Sequence, residues 1–522
     1  MMSGRRGVEF VDLDSGENYL DHWVRGGCLL GYLPCNGLLY VAPHPCGCYI
    51  EAKLSGFFAL ASDDQPKAPA QPPKTPAAER LEKGPAYGQP AGPQSAGVSP
   101  PGAGNPQSEE WPTYRHDDRR SGATDAAVAA TLAPLWKASI GGRLSGLVVA
   151  ENKVLVAQVD AHTVHALGAG DGKTAWRHTA GARVDSPPTV HEGLAIFGSA
   201  DGRVYCLRAS DGALAWRFRA APGERRVTAF EQLESPWPVP GSVLAHADKC
   251  WFAAGRLSYL DGGIYVYAVD PITGQVAKEE AVYSPDPETG KMIKEGKNKI
   301  PGFLNDIPAT DGSGVFIRQM EVSGAGGPAG RHLYSTGGYL DSSWFNRTFW
   351  NVGGAATSGI MVMGKDAAYG VEIYPGKSRE TVFKPAAEGY RLTCYSLSGA
   401  AAESKAGKAK QPAGAPKAPK AARAPNVLWE QRVPIRITAL VLAGDTLFAA
   451  GSPDVVDPAD PHGAWEGRKG GVLAAFAAKD GRKLFECRLD APPTWDGMAA
   501  VTGRLYVALT NGQVVCFKGD MQ

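Results

Sequence analysis

The sequence is short of several things, and each shortage removes a class of function. No apolar run in its 522 residues approaches the length of a bilayer-crossing helix. Lysine plus arginine number 54 against 53 aspartate plus glutamate, a net charge of +1, so there is no basic footprint for nucleic acid. The nine cysteines include no CxxC and no adjacent pair, which leaves neither a zinc-ribbon spacing nor a redox dithiol. There is no P-loop, no dinucleotide-binding glycine fingerprint, no GxSxG and no HExxH. The first twenty residues, MMSGRRGVEFVDLDSGENYL, lack the apolar centre of an export signal. Taken literally, that keeps the chain in the cytoplasm. Residues 8–13 already read as a strand, however, which is compatible with a missing upstream segment.

What the chain has in quantity is turns. Glycine (65) and proline (40) are abundant among short apolar runs, a pattern that points to an all-β fold. Two stretches stand apart. Residues 62–110 hold eleven prolines in 49 positions and almost no large apolar side chains. Residues 399–425 are rich in alanine, lysine and proline. Neither can bury enough surface to offset its ordering entropy, so both are expected to be disordered inserts.

Between the inserts the sequence is periodic. Trp136, Trp176 and Trp216 are spaced 40 and 40, and the turns Asp171-Gly172 and Asp211-Gly212 are also 40 apart. The segment VHALGAGDGKTAW matches VYCLRASDGALAW, so the unit is a small residue, five residues, glycine, three residues, tryptophan. The small residue is Ala166 in one copy and Cys206 in the other, and Cys516 takes a similar slot near the end. Weaker copies surround Ala268 with Gly274 and Ala475 with Gly481. Another leads through Gly399 to Trp429, and the earliest runs from Phe10 to Gly16. A strand ending in an Asp-Gly or Thr-Gly turn and a following strand that opens on tryptophan make the outer half of a four-stranded blade.

The expected architecture is a single β-propeller of eight four-stranded blades, with seven as the alternative. Residues 8–24 and the last strands together complete the final blade, because pairing the termini removes exposed edges. The chain then divides into propeller strands (1–61), a proline-rich insert (62–110), blades (111–398), a second insert (399–425) and the final blades (426–522).

The Ala-x5-Gly-x3-Trp unit resembles the tryptophan-docking repeat of the PQQ-type, quinoprotein dehydrogenase-like propellers. WPTYRHDDRRSGAT (111–124) is similar to the WPxFRxDxxRSG lead-in found before such propellers. The resemblance implies the fold and allows two activities. Some members are quinoprotein dehydrogenases, which hold PQQ over a tryptophan floor beside calcium with an aspartate base. Others are non-catalytic scaffolds, typically bacterial. The adjacent cysteines that many of the enzymes place over the cofactor are missing here. The resemblance therefore favours a non-catalytic binding or scaffolding module, with no cofactor expected. The alternatives are a PQQ- and calcium-dependent alcohol or sugar oxidoreductase and a carbohydrate-binding propeller. It also implies a periplasmic or cell-surface location.

A ligand site is expected in residues 234–350, which depart from the repeat. The candidates are Trp237, Arg256, Tyr259, Asp261, Asp306, Arg318, Asp341, Trp344, Arg347 and Trp350. Arginine gives planar recognition of carboxylate or phosphate, and tryptophan a flat floor for a ring or sugar. The same residues would equally serve as ion pairs, Arg256 with Asp261 and Arg318 with Asp306, and Trp344 and Trp350 as packing between blades. No catalytic residue stands out. His44, Cys46 and Cys48 alternate on one strand face and suit a soft metal, but they lack an evident fourth ligand, so no metal is expected. The expected partner is a protein, or a small polar or glycan ligand, on one propeller face of a monomer.

Overall fold

The computed structural model describes residues 2–3, 7–21, 24–26, 31–42, 54, 56–62, 75–89, 110–285, 302–324, 332–343, 348–373, 386, 389–397 and 426–519. It is a β-propeller built from four-stranded antiparallel meanders. The first runs from Leu144–Ala150 to Thr174–Thr179, the second from Thr189–His191 to Leu214–Arg219, and the third from Leu244–His246 to Val276–Val282. Two short three-stranded sheets follow, Ala309–Thr310 to Met320–Glu321 and Tyr334–Ser335 to Ala355–Thr357. Two more meanders run from Met361–Met363 to Val427–Val433 and from Ile435–Ala443 to Lys483–Leu489. The expected number of blades turns on whether the sheet ending at Ala355–Thr357 counts as one.

The repeat has a mechanical meaning. Each tryptophan of the unit packs on the glycine of the next meander: Trp136 on Gly172, Trp176 on Gly212, Trp216 on Gly274 and Trp429 on Gly481. A Cβ on any of these glycines would lie 2.5–2.9 Å from the indole. Each indole N–H donates to a carbonyl three residues before that glycine, on Ala169, Ala209, Pro271 and Ala478, at 2.9–3.1 Å. The small residue lies opposite the tryptophan on the neighbouring strand, Ala166 against Trp176 and Cys206 against Trp216. Cys394 faces Trp429 and Cys516 faces Trp136 in the same way. A large side chain there would collide with the ring, which explains why alanine and cysteine interchange. Cys206, Cys394 and Cys516 are buried and free, and burial raises the Cys206 thiol well above its ordinary range.

The ring closes differently from expectation. The final sheet consists of Pro493–Val501, Arg504–Leu509 and Gln513–Gly519, and its fourth strand is Leu132–Ser139. Trp136 in that strand packs on Gly172 of the first meander and so locks the closure. Residues 8–24 do not complete this blade. Val8–Val11 pairs with Met2–Ser3 and Asn18–Asp21, while Leu38–Val41 pairs with Leu33–Cys35 and Phe58–Ala61. The two small sheets share a hydrophobic cluster of their own around Val8, Val24, Leu39 and Val41. The last blade takes instead the strand that directly precedes the first meander.

The first insert is not wholly without structure either. Ala77–Arg80 forms a helical turn, and Leu81–Lys83 adds a fifth strand to the outer edge of the second meander. Of the second insert, 399–425, every position lies outside the described residues.

Residues 110–128 form a plug at one end of the ring. Trp111 bridges Val149, and the Pro112 carbonyl accepts from Val190 N–H at 2.7 Å. Asp118 receives His246 on its carboxylate and Thr310 N–H on its carbonyl. Ser121 and Gly122 accept from the N–H groups of Met363 and Leu442. Ala123–Thr124 pairs in parallel with Leu442 and Ala443, and Ala127 accepts from Gly503 N–H. All of these contacts lie at the C-terminal ends of the innermost strands or just beyond them.

Two outcomes are expected. Gly212→Ala should cost about 2–4 kcal/mol, strain at its φ of +74° plus collision with Trp176. Gly503→Ala, at φ +71° but with nothing within 4 Å, should cost only about 1–2 kcal/mol in denaturant titrations. A chain lacking residues 1–24 should keep the thermal transition of the ring, whereas Trp136→Ala should lower it. Equal losses from both would return closure to the N-terminal strands.

Candidate functional site

The propeller has two unlike ends. At the plugged end the hairpins are tight, with Glu151-Asn152 and Ala247-Asp248 both in left-handed conformation. The strands that leave this end carry the long connections to the other, and residues 220–243, 255–263 and 454–470 are all there. Most of the sequence-derived candidates belong to this open end.

Its centre is a charge cluster around Glu234, which is fully buried. Glu234 accepts from Arg183 Nε at 2.8 Å and from Arg256 Nη2 at 2.7 Å. Arg183 also lies 3.9 Å from Asp185, whose carboxylate accepts from Gly241 N–H at 2.7 Å. A buried carboxylate between two guanidiniums is held by charge-assisted bonds that offset part of its loss of hydration. Glu234 thereby anchors a short hairpin, Val227–Ala229 with Gln232–Glu234. Phe230 and Glu231 at its tip have φ of 50° and 63°. Phe230 and Leu233 are 64% and 66% exposed, and the Arg183 guanidinium sits 4.1 Å from the Phe230 ring. A bulky residue in the left-handed region, with its ring toward solvent, is strained.

Asp306 forms the second part. It is buried, lies 4.0 Å from Arg318 Nε, and accepts from the N–H groups of Ile307 and Tyr339. Desolvation pushes its carboxyl up to about 6, despite the opposing pull of Arg318. The charge of Asp185 adds to the rise, so both parts share one electrostatic neighbourhood. Arg318 donates to the carbonyls of Thr336 and Gly337. A Cβ on Gly338 would sit 3.0 Å from Arg318 Nη2 and 3.3 Å from Asp306 Oδ2, so this loop lies directly against the pair. Asp341, raised by burial, accepts from Ser343.

The other candidates have structural partners. Trp237 is 8% exposed, donates to the Asp261 carbonyl at 2.7 Å and lies beneath Arg225. Asp261 pairs with Arg225, not with Arg256. Tyr259 is buried with Leu257 and Leu304. Trp350 is 2% exposed. Tyr339 meets it edge-on at 5.5 Å, Trp495 lies at 6.5 Å, and the Arg115 guanidinium sits 4.9 Å from its ring. Arg115 itself is buried and pairs with Asp496 at 2.8 Å. Trp344 and Arg347 lie outside the described residues, as do His44, Cys46 and Cys48.

The structure thus brings Arg256, Asp306 and Arg318 into one neighbourhood and sends Trp350 into the ring interior. Reading the sequence missed Glu234, Arg183, Asp185 and Asp496. Glu234 stands three residues before Trp237, and its burial beside a proline-rich turn was the available signal.

Residues 123–297 match the family model described as outer membrane protein assembly factor BamB, a PQQ-type repeat model, so this stretch carries PQQ-type propeller repeats. Among solved structures the chain is similar to the quinohemoprotein alcohol dehydrogenase ADHIIG of Pseudomonas putida HK5, at 12% identity and TM-score 0.47, over 79% of this chain and 81% of that one. It is similar to the quinohemoprotein alcohol dehydrogenase of Comamonas testosteroni at 13% identity and TM-score 0.46, over 79% and 81%. BamB of Moraxella catarrhalis aligns at 13% identity and TM-score 0.40, over 74% and 100%. No curated protein matches the chain.

The raised Asp306 carboxyl has a measurable consequence. Its folded-state value of about 6 lies above the ordinary 3.8, so between these pH values the native chain holds a proton that the unfolded chain has released. Its contribution therefore makes stability fall as pH rises through that window. Asp306→Asn keeps an acceptor for Ile307 and Tyr339 but removes the titration. It should flatten the stability curve between about pH 4 and 6, by at most about 3 kcal/mol, in denaturant titrations at stepped pH. An unchanged slope would assign the dependence to other groups.

Proposed function

We propose that this chain, a PQQ-type repeat propeller, is a non-catalytic binding module that presents its open end to a protein partner. The observation that carries the reading is the state of Trp350. A planar quinone needs an exposed indole face, and this ring is enclosed by Tyr339, Trp495 and Arg115. Trp237 is no substitute, because Arg225 covers it. Asp306, the carboxyl best placed in pKa for a base, has its oxygens engaged by backbone N–H groups and the Gly338 loop packed against it. Among the described residues, Trp350, Trp237 and Asp306 as placed do not fit PQQ with calcium, and no reaction step is derived through it. A sugar platform built on Trp350 meets the same obstacle.

The open end instead offers what protein recognition uses: a rigidly anchored hairpin with exposed Phe230 and Leu233, held from below by the largely buried Arg256. No described helix is long and apolar enough to cross a membrane. The matched family description, an outer-membrane assembly factor, supports an extracytoplasmic place of work.

The test is reconstitution with PQQ and Ca²⁺. Neither a bound-quinone absorption band nor dye-linked oxidation of alcohols or sugars is expected. Appearance of both would replace this reading with the oxidoreductase.

A further inference from the structure

The repeat unit of this fold is four strands, yet the second meander has five. The fifth, Leu81–Lys83, comes from the first insert and pairs Leu81, Glu82 and Lys83 with Phe218, Arg217 and Trp216. Gly84 N–H and Ala86 N–H extend the ladder to the carbonyls of Ala215 and Leu214. The neighbouring meanders end at their fourth strand, so the second is complete without this addition.

The added segment is recognised through its side chains as well as its backbone. Arg80 is 5% exposed and enters the seam between the second and third meanders. There it bonds Glu279 at 2.6 Å and Tyr267 Oη at 3.1 Å, and its guanidinium lies 5.1 Å from the Phe218 ring. Leu81 covers the joint where Trp216 meets Gly274. A Cβ on Gly84 would fall 2.2 Å from the Leu214 carbonyl, so only glycine lets the backbone approach. Tyr87 Oη donates to the Thr273 carbonyl at 3.3 Å, and Gln89 accepts from Arg208 at 2.8 Å. In sequence this segment is bounded on both sides by proline-rich stretches.

We infer that the seam between the second and third meanders is a strand-accepting peptide groove, filled here by the chain's own residues 75–89. The partner it fits is an extended segment with arginine followed directly by leucine, glycine four residues after the arginine and tyrosine seven after it. Edge-strand addition supplies register and affinity, and the arginine pocket supplies specificity. Because the resident segment is tethered, it competes at an effective concentration on the order of millimolar, so a free peptide meets an occupied site in the unaltered chain.

The test uses the full chain carrying Arg80→Ala and Gly84→Val to empty the groove, and a fluorescein-labelled peptide of residues 75–89, TPAAERLEKGPAYGQ. Saturable binding to the variant is expected, about tenfold or more tighter than to the unaltered chain. It should weaken at least about tenfold when the peptide carries Arg80→Ala. Failure of the variant to bind while its circular dichroism is unchanged overturns the inference, and so does equal binding of both peptides. A second measurement avoids the variant. Amide hydrogen exchange at Gly84 and Ala86, followed by NMR on the isotope-labelled unaltered chain, should quicken when excess unlabelled peptide displaces the resident segment. An unchanged rate counts against the groove even if the variant misfolds.

Discussion

Everything about this ring depends on the segment 110–128 that hydrogen-bonds its innermost strands together. Its keystone is Arg120, which is fully buried. Its guanidinium donates to the carbonyls of Tyr114, Val243 and Pro308 and to Thr113 Oγ1. These partners are neutral oxygens drawn from the plug itself and from two successive sheets of the ring. Burial pulls the guanidinium's pKa down, yet five fixed donors suit it to gather several carbonyls at once. Arg115 does similar work with a true counter-ion, joining the plug to Asp496 of the final sheet.

The plug divides the molecule's labour. With one end crossed by a segment bonded to nearly every sheet of the ring, the connections that carry Glu234 and Asp306 lie at the other. The Glu234 hairpin, the Asp306 pair and the long 454–470 connection are all there. The Glu234 and Asp306 carboxylates at that end are paired and buried rather than poised, and the apolar groups that reach solvent there include Phe230, Leu233, Val455, Val456 and Trp465. It is this balance that the proposed docking role rests on.

The legible part of the fold was the part written in short-range spacing. Trp136 with Gly172 and Trp176 with Gly212 obey one local rule, because both seams join residues 36 positions apart along the chain, whereas Trp216 to Gly274 and Trp429 to Gly481 are stretched by longer connections. The closing strand was assigned wrongly because residues 8–24 and Leu132–Ser139 both read as strands. Which of them meets Gln513–Gly519 is decided by a pairing across nearly the whole chain. Leu81–Lys83 was missed because composition describes a stretch on average, whereas Arg80, Gly84 and Tyr87 each meet one specific complement. The site was legible only as a region. Arg183 and Glu234 are 51 residues apart and carry no periodicity, and Trp350 looked like a platform until its neighbours were known.

The tryptophan seams also say how such a ring can grow. The repeat read along the chain is offset from the blade: its glycine receives the indole of the blade before, and its tryptophan seeks the glycine of the blade after. Each unit is therefore a tile with one socket and one peg. Copying a single tile in a gene inserts a blade whose two joints already match, and the ring needs to adjust only its curvature. Trp136, on the strand that closes the circle, is the peg that lets any such lengthened chain still end where it began.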